Sequence, residues 1–452
     1  MTEHRRRGVS LGTIFMAAVT LAVLIGCAIV FPRLMGDAGI LLEDRAMLTE
    51  TNLNDALPEL AMSDIPIAPE ATPQPEPEAP TASPEPSPSA AVEPTHTPEP
   101  QASGTVSLTF AGSICMDDLT RKSGYYSDSE KYDFTDNLSL IAAEMESDCT
   151  FVTLEGITDP SGNVRQVPNA PDEVMDMLAQ ANVDMVALGW SKAYERGASG
   201  AVATLGEAQK RGLSTVGLYG SQQDAQQIRM VEAGGLKTAY LHYAAALSST
   251  SKRQLKAEDS SWAMPSVTVG KAGVEIISAD IRRAREEGAH IVVVSLNWSG
   301  VGSVSTTSNT MKGFMQGLAD AGADVIVGAG TKAIREVSWL LGKRADGSTR
   351  QTLCAWSLGS LLNGERGDGN VAGLLLHVQM SVTGGNVSFS QVTYTPTYIW
   401  RFKADDYYRY RVVASDQPAP EGMDDSQAAN AERAFANLKK SLGNSPITLR
   451  VK

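Results

Sequence analysis

Twelve of the chain's 22 prolines fall within residues 66–100, a stretch that also holds six glutamates and no lysine or arginine. Runs such as TPQPEPEAP and SPEPSPS carry too few apolar residues to bury a core, and they favour an extended, solvated backbone. At about 3.1 Å per residue such a stretch reaches roughly 100 Å. Residues 66–103 therefore read as a disordered stalk, and a docking site for a proline-binding domain is the weaker alternative.

Upstream of the stalk, residues 9–31 (VSLGTIFMAAVTLAVLIGCAIVF) contain no charge. Twenty-three residues at 1.5 Å each are enough to cross a hydrocarbon core of about 30 Å. Arg5, Arg6 and Arg7 precede the span, which places residues 1–8 in the cytoplasm and the rest of the chain outside it. Leu24-Ile25-Gly26-Cys27 resembles a lipobox, but the apolar run continues through Phe31, so an uncleaved transmembrane anchor is expected. Residues 32–65 form a mixed juxtamembrane segment with no evident chemistry. A single-pass protein of the cell membrane with an extracytoplasmic ectodomain follows.

From Gly104 the pattern changes to that of an α/β domain, expected over residues 104–414. Apolar runs predict strands at 106–111, 150–154, 185–188, 214–218, 239–243, 291–296 and 325–327. Helices are predicted between them, at 172–180, 201–211 (before Gly212) and 311–321 (before Gly322). Strands that are apolar throughout belong to a sheet covered on both faces. Further runs at 372–380, 387–394 and 410–413 predict antiparallel strands closing that sheet. The C-terminal segment, 415–452, carries Ala428, Ala431, Phe435, Leu438 and Leu442 at helical spacing before Gly443, an amphipathic helix packed on the domain. With 38 basic against 52 acidic residues, a net charge of −14, the chain is no general nucleic-acid binder.

In an open α/β sheet, functional residues collect in loops beyond the carboxyl ends of strands. Six such loops carry recognisable segments: LTFAGSICMDDL, FVTLEGITDP, VDMVALGWSKAYERGASGAVATLGEAQKRGLSTVG, HIVVVSLNWSG, LADAGADVIVGAGTKAIREV and AWSLGS. In this order and spacing they resemble the CapA family, bacterial capsule proteins associated with poly-gamma-glutamate synthesis. The resemblance covers residues 105–410, about two thirds of the chain. It implies a calcineurin-like metallophosphatase sandwich and a role in capsule or cell-envelope polymer assembly.

The departures from the family pattern bear on the chemistry. Ser113 stands at the position of the family's first-strand Asp, Ser191 and Lys192 replace an Asn-His pair, and Asn297 replaces a His. Ala329, Gly330 and Lys332 replace three histidines, and Ser360 replaces an Asn. Glu155 remains, with Glu195 in place of an Asp. Two metal ions that activate water need several carboxylate and imidazole ligands. One carboxylate beside two lysines does not provide them, so neither metal nor other cofactor is expected. Asp117 and Asp118 are weak substitutes on spacing alone, and His242, His290 and His377 lie in or beside strands as packed or surface residues. No G-x-S-x-G elbow, P-loop or zinc-binding cysteine pattern occurs.

The resemblance would bring Lys192 and Lys332 to one cleft with Ser113, Ser191, Asn297 and Ser360, beside Glu155. Such a group suits a carboxylate or phosphate of an anionic envelope polymer. The competing expectation is that a lysine salt-bridges Glu155 or Glu195 and replaces the metals structurally. Cys149 and Cys354 read as core residues, and Cys115 as the cysteine to test for reactivity. The expected function is a metal-free, non-catalytic binding or scaffold member that meets the polymer or its synthase complex. The alternative is a metal-dependent phosphoesterase or polymer hydrolase with a rearranged site.

Overall fold

Ile291–Asn297 is buried at every position, and its side chains alternate between two apolar layers. Ile291 and Val293 pack inward against a second sheet, whereas Val292, Val294 and Leu296 pack outward under helices. Strands lined on both faces in this way account for the continuous apolar runs. The structure is a computed structural model, and it describes residues 103–450 apart from 164–167, 345, 368 and 405–406. The predicted basic tail, membrane anchor, juxtamembrane segment and stalk lie outside the described residues. Among the described residues no helix is long and apolar enough to cross a membrane.

Two sheets face each other. The larger runs Tyr407–Ala414, Asn386–Ala404, Ala372–Thr383, Gly104–Cys115, Cys149–Glu155, Met185–Ala187 and Ser214–Val216 in spatial order, with Ser360–Leu362 added beside Gly104–Cys115. The smaller runs Val337–Lys343, Thr349–Ala355, Val325–Ala329, Ile291–Asn297, Leu236–Ala244 and Arg229–Ala233. Phe110, Phe151, Tyr240, Val293 and Leu376 belong to the apolar layer between them. Helices Glu173–Gln180 and Gly197–Lys210 cover the outer face of the larger sheet, and Lys271–Glu286 and Asn309–Ala321 that of the smaller. The result is a helix–sheet–sheet–helix sandwich.

The sandwich is the architecture that the family resemblance implies, and the apolar runs that the strand pattern alone assigned to a sheet divide between its two sheets. The late strands do run antiparallel as expected: Ala372–Thr383 pairs with Gly104–Cys115. Residues 415–450 belong to the same compact unit, with the C-terminal helix packed on the domain as expected. Helix Asp425–Leu442 buries Ala431, Ala434, Leu438 and Leu442, and a capping box between Asp424 and Gln427 starts it.

Parallel pairing aligns the carboxyl ends of the central strands. Cys115 lies opposite Glu155, and Ala329 lies opposite Asn297. Both sheets thus deliver their strand ends to the same edge of the sandwich.

Candidate functional site

Glu155 ends a fully buried strand of the larger sheet, and Asn297 ends a fully buried strand of the smaller one. Asn297 Nδ2 donates to Glu155 Oε1 at 3.0 Å. Asn297 Oδ1 in turn accepts from the Ser299 backbone N–H at 2.9 Å and from the Ser299 hydroxyl. The Ser191 N–H donates to Ser299 Oγ at 3.1 Å, which attaches the next loop. A chain of hydrogen bonds therefore links the strand ends and loops of the two sheets.

Gly330 closes the other side of this cluster. Its φ of +86° lies in the left-handed region, and a Cβ there would stand 2.8 Å from Glu155 Oε1 and 3.0 Å from Asn297 Oδ1. The backbone thus occupies the space beside the carboxylate where the family resemblance places a histidine. Burial is the largest influence on Glu155 and raises its carboxyl to about 7. The Asn297 hydrogen bond, Lys332, the Cys115 thiol and Lys192 each pull it back down.

The two lysines behave differently from each other. Lys332 bonds ionically to Glu365, not to Glu155 or Glu195, which corrects the expected salt bridge. Burial works against its charge, but Glu365, Cys115 and Asp117 outweigh that and raise its pKa. Its φ is +61°, a strained conformation for a residue with a side chain, at a cost on the order of 1–3 kcal/mol. Ser360 Oγ donates to the Lys332 carbonyl at 3.3 Å. Lys192 is exposed and acts on Glu155 through its field alone. Glu195 accepts from Ser248 Oγ at 2.7 Å.

Ser113 is paired in register with both Thr153 and Ser360, and its buried hydroxyl has no hydrogen-bond partner. Asp117 is engaged as a helix cap: Oδ1 accepts from the Leu119 and Thr120 backbone, and Oδ2 from Gly364 N–H at 2.9 Å. Asp118 pairs with Arg121. Cys115 is part-exposed, yet burial and the neighbouring Glu155 carboxylate push its thiol far up, which opposes the reactivity considered for it.

This donor set does not fit a dinuclear metal centre. It offers one buried carboxylate with a raised pKa, a second (Glu365) already paired with Lys332, one amide, hydroxyls and two cations. Among the described residues no three His, Cys, Asp or Glu side chains gather as a metal site. His242 and His377 are packed, as expected. His242 supports the site from below: it bonds the Gly189 carbonyl at 2.7 Å and Ser295 Oγ at 2.9 Å, and burial holds its pKa down at about 4. Two participants, and the role of a third, were not legible in advance. Ser299 and Glu365 lie in polar loops without a motif, and the role of Gly330 depends on contact with another sheet.

The family described as "Bacterial capsule synthesis protein PGA_cap" matches residues 107–365, more than half of the chain. No curated protein matches. Among solved structures, the chain is similar to a phosphatase from Mycoplasma pneumoniae, 12% identical, covering 65% of this chain and 94% of that one, with a TM-score of 0.34. It is also similar to the calcineurin-like phosphoesterase YfkN from Bacillus subtilis, 11% identical, covering 75% of this chain and 99% of that one, with a TM-score of 0.35. The family rests on the match over residues 107–365, which ends short of the segment around Tyr410 that the motif resemblance had included.

Proposed function

The chain belongs to the bacterial capsule synthesis protein family, and we propose that within it the protein is a non-catalytic binding or scaffold component for an anionic envelope polymer. One observation carries this reading. The Asn297 amide and the Gly330 backbone stand against Glu155, where the family resemblance places metal ligands. Without those ligands the edge of the sandwich has no means to activate water by the family's chemistry.

The polymer contact is the rim above this cluster. Lys192 is exposed there, and the partly exposed ammonium of Lys332 faces the same edge, held by Glu365. Ser113, Ser191, Asn297 and Ser360 are neutral groups buried at this edge, beneath the rim. Carboxylates or phosphates would accept charge-assisted hydrogen bonds from the two ammonium groups. Residues 9–31 would hold the protein in the cell membrane with the stalk and domain outside.

Titration calorimetry of the full-length chain with short poly-gamma-glutamate oligomers tests the reading. Binding that weakens as salt rises is expected, because exposed charges are screened over about 10 Å at 0.1 M. Absence of binding at low salt to both glutamate oligomers and phosphorylated glycan fragments would overturn it.

A further inference from the structure

We infer that the chain binds a phosphate group, free or as a phosphomonoester, in a cleft at the end of the sandwich opposite Glu155. This site goes beyond the reading above and is tested independently of it. The cleft, about 280 Å³, lies where the parallel strands of the smaller sheet begin. His290 immediately precedes Ile291–Asn297, Asp324 precedes Val325–Ala329, and Arg350 lies near the start of Thr349–Ala355. Val382 and Val387, from the larger sheet, form the opposing wall.

Three guanidinium groups, those of Arg285, Arg344 and Arg350, line the cleft against the single carboxylate of Asp324. That carboxylate is already committed. It pairs with Arg285 and accepts from Val292 N–H at 2.8 Å. Arg285 also donates to the Ala289, His290 and Gly322 carbonyls, so this pair is closed. The other two arginines are left with few partners. Arg344 donates to Asn386 Oδ1 at 3.2 Å. Arg350 makes one long bond to the Ala319 carbonyl, at 3.4 Å, and its buried Nε has no partner.

Two nearby acids attract these arginines from outside the cleft, Asp320 acting on Arg350 and Asp346 on Arg344, without bonding to either. Asp320 is occupied by Gln316 and the Lys343 N–H, and Asp346 by Ser348. Burial lowers the Arg350 pKa, and repulsion from Arg285 and Arg344 adds to it against the attraction of Asp324 and Asp320. An anion in the cleft would relieve that strain. His290 Nδ1 accepts from Lys237 N–H at 2.8 Å, which leaves Nε2 to carry the proton of the neutral ring. A phosphate near neutral pH carries about −1.5 to −2 charge and three acceptor oxygens. Two guanidinium forks, each with a single side-chain hydrogen bond of its own, match that charge and geometry better than they match a single carboxylate.

The test is calorimetry of the full-length chain near neutral pH and low salt, with inorganic phosphate, glucose 1-phosphate and glutarate as separate probes. Inorganic phosphate should bind, and its affinity should fall by about tenfold or more in Arg344→Gln and in Arg350→Met. Binding of both phosphate probes identifies a phosphomonoester as an acceptable occupant, and binding of inorganic phosphate alone identifies the free ion. Arg344→Gln decides if Arg350→Met does not fold, because the Arg344 side chain is tied only to Asn386. No phosphate binding by the wild type, unchanged affinity in Arg344→Gln, or tighter binding of glutarate than of phosphate would each overturn the assignment.

Discussion

Asn297 and Glu155 belong to different sheets, and the 3.0 Å hydrogen bond between their side chains joins those sheets at the edge where the family resemblance places metal ligands. Such a bond typically contributes about 0.5–1.5 kcal/mol while the carboxyl is protonated and about 1.5–3 kcal/mol once it ionises, and it strengthens as water is excluded. The bond therefore supplies at the strand ends a cross-connection that does not depend on an ion.

The buried carboxyl of Glu155 makes stability depend on pH in a definite direction. Its native value of about 7 lies above the ordinary 4.5 at which the unfolded chain ionises. Between those values the native state keeps a proton that the unfolded state has lost, so this group's contribution falls as pH rises from about 4.5 to about 7. The gap corresponds to something on the order of 3 kcal/mol. Glu155→Gln keeps an oxygen for Asn297 and removes the ionisation. Urea denaturation near pH 5 and near pH 8 should show the wild type losing stability relative to the variant at the higher pH. Parallel pH responses would contradict the buried-carboxyl account.

Gly330→Ala should be costly for two reasons, a left-handed backbone and a Cβ placed 2.8 Å from both Glu155 Oε1 and Ser299 N. A loss of about 2 kcal/mol or more is expected. Gly212→Ala serves as the comparison, since Gly212 is also left-handed (φ +73°) but has open space around it. It should lose about 1 kcal/mol. Equal losses in the two variants would show that the contact with Glu155 contributes nothing.

Removing both rim lysines separates binding from stability. The Lys332–Glu365 pair is partly exposed, with side-chain exposures of 23% and 50%, and such pairs are worth at most about 1 kcal/mol. The Lys192→Met, Lys332→Met double variant should therefore stay within about 1 kcal/mol of the wild type in a thermal melt. Its affinity for glutamate oligomers should drop sharply. Unaltered affinity would remove these lysines from the polymer contact.

Topology is open to a protease experiment. External protease added to intact protoplasts should cut near the proline-rich residues 66–100 and release most of the chain. Protection of the whole chain, or its release without proteolysis, would contradict an anchor at residues 9–31.

Much of the fold was legible because the central strands are buried on both faces and so read as unbroken apolar runs. Cys149–Glu155 and Ile291–Asn297 are both of this kind. The same property hid which strand belongs to which sheet of the expected sandwich, since a strand lined on both faces carries no mark of the sheet it joins. Two edge strands were missed for the opposite reason, although those at Ser214–Val216 and Tyr407–Ala414 were expected. Arg229–Ala233 and Val337–Lys343 are largely half-buried and mix polar with apolar residues. At the site, Glu155 and Asn297 were identified as residues at strand ends, but their bond spans 142 positions and depends on how the sheets face. Likewise, Lys332 finds its partner in Glu365, 33 residues away in a polar loop, rather than in Glu155.

The central claim is that this member of the capsule synthesis family lacks the metal chemistry of a phosphoesterase. Elemental analysis of the purified full-length protein, together with a phosphodiesterase assay in the presence of added manganese, iron or zinc, tests it most directly. The account predicts substoichiometric metal and no metal-dependent turnover. Stoichiometric metal accompanied by phosphodiesterase activity that is lost in Glu155→Gln would contradict it.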